Sequence, residues 1–266
     1  MPAKGVSVSP SICCRALMGD PSLPWAVAAA VLAGVVRGTS GFGQALVFVP
    51  LAGLLYPPQF AVPLLWVFDA LLTPMLIRPH LRRAVWSEIV PLVIGGVALL
   101  PAGLWLLRHL DPVVLRWVIC SIVLLCTVGV AAGWRVRVAA TPIVSMAVGG
   151  LSGLVGGATG VKGAPLVLFW LGRKSDADQI RSNIFIYLWL TVLASLAFGA
   201  AEGLVSAPVL REGVVLAPCY ALASVAGNGI FRCTHRMSPA RREAIFRWLA
   251  LGLCAASACA GLPVWG

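Results

Sequence analysis

Acidic residues are nearly missing from this chain: 9 Asp and Glu stand among 266 residues, against 20 Lys and Arg. Charged residues together make up 11%, where ordinary soluble domains carry about 25%. That scarcity excludes a soluble globule, which needs a charged surface to stay in water. Histidine is scarcer still: His80, His109 and His235 all lie in or beside the polar stretches between apolar runs. A histidine-based catalytic or metal constellation within those runs is therefore excluded. The 8 cysteines form no C-x-x-C pair and no His-linked ligand spacing, so no disulfide framework, metal site or cofactor is expected. The net charge of +11 comes from Lys and Arg scattered through short connections. Without a basic patch interleaved with aromatics, that charge argues against nucleic acid as a partner and for the charge bias of membrane loops.

What the chain has in abundance is apolar length. Apolar residues make up 60% and the mean hydropathy is +0.95. The fold class is all-α, a polytopic membrane protein whose first partner is the lipid bilayer. A spanning helix needs about 20 apolar residues. Six such runs are expected, at about 59–77, 89–107, 113–133, 183–201, 213–231 and 245–263. Residues 1–24 form a polar, Pro-containing tail without the pattern of a signal peptide.

Two further apolar regions, about 25–56 and 141–171, are too long for one straight crossing and carry glycine at their centres. The first contains Gly34-Val-Val-Arg-Gly-Thr-Ser-Gly-Phe-Gly-Gln-Ala45, the second Gly153-Leu-Val-Gly-Gly-Ala-Thr-Gly-Val-Lys-Gly-Ala164. At a shift of 119 residues, Gly34, Val36, Gly38, Gly41 and Ala45 fall on Gly153, Val155, Gly157, Gly160 and Ala164. The chain therefore reads as two repeats, 25–133 and 141–263, each opening with a broken helix or re-entrant hairpin. Broken helices at matching places in two halves point to a transporter's binding site.

Two topologies follow. If each motif region crosses the membrane once, there are eight helical crossings, and the loop of Arg78, Arg82 and Arg83 lies opposite the most basic loop, Arg232 to Arg247. If each is a hairpin, both loops share the cytoplasmic side with Arg135, Arg137, Arg173, Lys174 and Arg181. The outer side then keeps only Lys4, Arg15, Arg108, Arg116 and Arg211. The positive-inside bias favours hairpins. Each half then has three full crossings, which makes the repeats inverted and puts both chain ends outside the cytoplasm.

Arg37 and Lys162 are the two cations far from any loop, one in each motif. A cation at mid-bilayer costs at least about 2.5–3.5 kcal/mol, so it needs a partner or a wet cavity. Helix N-termini at the breaks aim free N–H groups into the gap. The expected binding residues are Arg37, Gly38, Thr39, Ser40, Gly41 and Gln44 from the first motif. Gly157, Thr159, Gly160 and Lys162 come from the second, with Asn183 beyond it. Cations, amides and hydroxyls together suit a small anionic substrate. Asp69, alone in the middle of its run, has two readings: a group that titrates as a coupling proton moves, or a permanent ion pair with Arg37. Lys162 has a second reading as a snorkelling side chain, the glycines as close helix packing, and Asn183 as a helix cap.

These residues resemble the sulfite exporter TauE/SafE family of bacterial membrane permeases. The likeness covers nearly the whole chain. It runs through the first motif with Leu46-Val-Phe-Val-Pro-Leu51, then Gly149–Gly157 through Pro165–Leu168. It continues in Gly213-Val-Val-Leu-Ala-Pro218, on to Gly227 and the basic stretch Arg232–Arg242. The resemblance implies a multi-pass protein of the bacterial inner membrane that exports sulfite, organosulfonates or related anions, with room for a homo-oligomer. The family's second repeat usually lacks a lysine, so Lys162 departs from the pattern and bears on the substrate. Two other classes remain beside this one. Gly38-Thr-Ser-Gly41 matches an intramembrane serine protease signature on Ser40, and a passive channel or accessory subunit needs no carrier chemistry.

Overall fold

The computed structural model describes residues 23–41, 43–132, 141–171, 177–233 and 252. Gly252 apart, the expected run at 245–263 lies outside the described residues, as do residues 1–22 of the tail and the loop cations Arg135, Arg137, Arg173 and Lys174. Everything regular among the described residues is helical. In chain order the helices are α1 (Leu23–Ser40), α2 (Gln44–Ala52), α3 (Pro58–Leu76), α4 (Arg78–Leu81) and α5 (Trp86–His109), followed by α6 (Pro112–Ala131), α7 (Pro142–Thr159), α8 (Gly163–Leu171), α9 (Ala177–Ala201) and α10 (Ala207–Cys233). Four stretches are long and apolar enough to cross a membrane: Trp86–His109, Pro142–Thr159, Gln179–Ala201 and Ala207–Ile230. Along α5, Val90, Ile94 and Trp105 are exposed on one face, as a lipid-facing stripe requires.

Local signals set the helix ends. Proline opens α3, α6 and α7 at the first helical position, where its missing N–H costs nothing. Thr141 caps α7 by accepting from the Val144 amide, and Asp111 caps α6 by accepting from Val113. Gly41 and Gly160 close α1 and α7 in the left-handed region, at φ 81° and 79°. A side chain there costs about 1–2 kcal/mol, so the glycines fix where each long helix stops.

The duplication reappears in the element boundaries. Adding 119 to the limits of α1 and α2 gives those of α7 and α8 at both ends: 23–40 becomes 142–159, and 44–52 becomes 163–171. In both places the chain turns back on itself. The Ser152 hydroxyl, seven residues before the end of α7, donates to the Lys162 carbonyl at 2.6 Å. A collinear continuation of α7 would carry Lys162 roughly 15 Å further along the axis. The first motif turns in the same way, since the short arm α2 packs back against α1. Each motif is a helical hairpin with a long and a short arm.

The hairpins pack into the opposite half. The long arm α7 lies against α5, and α1 against α10. Small residues bring backbones together: a Cβ on Gly149 or Gly153 would run into the Leu92 or Gly96 carbonyl, and one on Gly38 into that of Ser224. The hairpin tips are reciprocal too. A Cβ on Gly41 would meet Arg181 of α9, and one on Gly160 would meet Val62 of α3; Val62 and Arg181 are themselves 119 residues apart.

The two ends of the bundle differ in charge. At one end Gln59 bonds to the Leu110 carbonyl, and Arg108 pairs with Glu202 at 2.6 Å. At the other His80 meets Ser182 at 2.9 Å, the Val85 amide donates to Asn183, and Arg181 donates to the Gly38 carbonyl. The basic loop at Arg78–Arg83 and Arg181 therefore share one end, and Arg108 belongs to the other.

Candidate functional site

The turns of both hairpins border one cavity. Its wall is made by Gly43–Leu46 from the first turn and short arm, and by Gly160–Gly163 from the second. Leu65, Trp66 and Asp69 of α3, with Leu188 and Val192 of α9, complete it. The cavity measures about 20 Å³, room for about one water, so a larger ligand requires the halves to part. The amino ends of both α2 and α8, the positive ends of their helix dipoles, lie on the wall.

Lys162 immediately precedes α8 and is 3% exposed. Its Nζ donates to the Thr191 carbonyl at 3.0 Å and the Ser195 hydroxyl at 2.6 Å, and lies 5.7 Å from the Trp66 ring centroid. Both acceptors are neutral, and no carboxylate among the described residues forms an ion pair with it. An ammonium at a helix N-terminus also adds charge of the same sign to that end of the helix dipole. An anion in the cavity would offset both.

Arg37 is oriented differently. It is 1% exposed in the last turn of α1, where Nη2 donates to Thr73 Oγ1 at 3.1 Å. Nη1 stands 3.8 Å from Asp69 Oδ1, and the guanidinium lies 4.9 Å from the Phe185 ring centroid. Asp69 accepts from Gln44 Nε2 and from the Tyr220 hydroxyl, each at 2.9 Å. Asp69 thus forms part of the cavity wall, while Arg37 is not among the wall residues. The ion-pair reading of Arg37 and Asp69 has its geometry here.

Of the residues expected from sequence, Gln44, Gly160 and Lys162 line the cavity, together with Asp69. The others are placed elsewhere. Gly38 abuts α10 at Ser224 and Gly227, and Gly157 abuts α5 at Leu100 and Gly103. Gly41 forms the first turn against Phe185 and Arg181. Thr39 returns its hydroxyl to the Val35 carbonyl of its own helix, and Thr159 donates to Val155 and accepts from the Val161 amide. Asn183 accepts from the Val85 amide ahead of α5 and donates to Glu88 at 3.3 Å. The Ser40 side chain lies outside the described residues.

Sequence reading missed Trp66, Phe185, Thr191, Ser195 and Tyr220. A signal for the aromatic pair was present, because Trp66 and Phe185 are also 119 residues apart, one helix beyond the motifs. Each buried cation faces the aromatic of the other half.

Among known proteins, the model of the sulfite exporter TauE/SafE family matches residues 26–260. It describes a family of membrane transporters, not of enzymes. No curated protein and no solved structure matches the chain.

Proposed function

We propose that this chain, which belongs to the sulfite exporter TauE/SafE family, exports a small sulfur oxyanion or organosulfonate across a bacterial inner membrane. It does so as a secondary carrier. The anion sits in the cavity between the two hairpin turns, held by Lys162 and the amino ends of α2 and α8. The observation that carries this reading is Lys162, a buried ammonium on the cavity wall whose bonds go only to neutral oxygens. Arg37 serves the site indirectly, by holding the Asp69 carboxylate in place.

The reciprocal contacts of Gly41 with Arg181 and Gly160 with Val62 support two inverted halves. Rocking of one half against the other then opens the small cavity first to one side and then to the other. A carrier of this kind shows saturable flux, and unlabelled substrate on the far side accelerates it. Counterflow of labelled sulfite in proteoliposomes tests the proposal. Non-saturating flux without counterflow makes the protein a channel and overturns it.

A further inference from the structure

We infer that the cavity selects singly charged anions, hydrogensulfite or a monosulfonate, over dianions, and that Asp69 sets this limit. The inference rests on the anion-site reading above and adds the charge of the ligand. Among the described residues the buried acidic or basic side chains are Arg37, Asp69, Lys162 and Glu212. Glu212 stands eight residues before Tyr220 on α10, roughly 12 Å along the helix from the Asp69 contact. The remaining three gather around the hairpin turns.

Their formal charges leave one positive charge without a counterion. A monoanion brings the loaded site to neutrality. A dianion leaves a net negative charge in surroundings of Leu65, Trp66, Leu188 and Val192, where an unpaired charge is costly. The placement of the three charges sharpens the limit. Lys162 and Asp69 share the cavity wall, whereas Arg37 does not reach it. A ligand entering the cavity therefore meets one ammonium and one carboxylate. It can put a negative group toward Lys162, but a second one is repelled by Asp69. Apart from the Gln44 amide, the rest of the wall is glycine, aliphatic or indole and offers a second negative charge no counterion.

Ethanesulfonate and ethane-1,2-disulfonate share a carbon skeleton and differ by one negative charge. Their competition against labelled counterflow in proteoliposomes of the full chain tests the inference. In the wild type, ethanesulfonate should compete at least tenfold better. D69N should narrow that ratio several-fold, and D69E, which keeps the charge, should retain it. Equal competition in the wild type, or preference for the disulfonate, overturns the inference whether or not D69N folds. An unchanged ratio in folded D69N overturns the role given to Asp69. If K162Q competes and transports like the wild type, the anion site itself is wrong, an outcome separate from the charge limit.

Discussion

Trp66 and Phe185 stand at the same place in the two halves of the chain, and each presents its ring to the buried cation of the other half: Lys162 at 5.7 Å and Arg37 at 4.9 Å. The cations themselves are not equivalent. The 119-residue shift carries Arg37 onto Gly156 and Lys162 back onto Gly43. One half thus supplies a cation from its long arm and the other from its turn. Only the second lines the cavity. The duplicated frame has been used asymmetrically, with one cation tied to Asp69 and the other bonded to the neutral oxygens of Thr191 and Ser195.

That asymmetry predicts opposite stability effects. Replacing Lys162 by methionine removes a buried ammonium, and Ser195 still donates to the Thr191 carbonyl at 2.8 Å without it. K162M should therefore keep or raise the thermal midpoint in detergent while losing anion transport. A large drop in midpoint would show that Lys162 is a structural residue.

Breaking the other pair should be destabilising. R37Q strands a carboxylate and D69N strands a guanidinium, each an error of about 3–5 kcal/mol for a buried ion pair. Tyr220 and Gln44, which both donate to Asp69, soften the first. The double variant R37Q/D69N should recover part of the sum, measured as a coupling energy in a denaturation cycle. Additive losses would contradict the pairing.

Glycine substitutions should separate by location. G149A and G153A push a methyl into the facing backbone of α5 and should abolish folded yield. G229A, a helical position with nothing within 4 Å, should be neutral or stabilising by roughly 0.5–1 kcal/mol. G160A adds left-handed strain of about 1–2 kcal/mol at the second turn. Size-exclusion profiles and thermal midpoints read all four.

The hairpins predict where labels reach. Cysteines placed at Leu23 and Pro58, in a background without native cysteines, should react with an impermeant maleimide from the same side of the membrane. Reaction from opposite sides would mean that the first motif region crosses the membrane once.

Much of this architecture was legible in the sequence because glycine and proline act locally. The breaks fall where Gly41 and Gly160 stand, and the runs at 59–77 and 113–133 differ from α3 and α6 by one or two residues. Hydropathy misplaced the starts of α9 and α10, which begin six residues before the expected 183 and 213. Their first two turns carry polar groups such as Arg181, and Arg211 with Glu212, which a helix tolerates at the edge of a bilayer but a hydropathy window does not count. Lys162 was legible as a cation without a loop. The partners of Gly38, Gly157 and Asn183 were not, because they depend on which helix of the opposite half packs alongside. The same ignorance of partners hid Ser195 and Thr191, which meet Lys162 only once the second hairpin packs on α9, and Tyr220, which meets Asp69 only when the halves come together.

The direct test of the central claim is calorimetric titration of sulfite and ethanesulfonate into the purified wild-type chain and K162Q. Saturable binding in the wild type, weakened at least tenfold in a K162Q protein of undiminished thermal midpoint, is the predicted result. Equal affinity in the two proteins would contradict it.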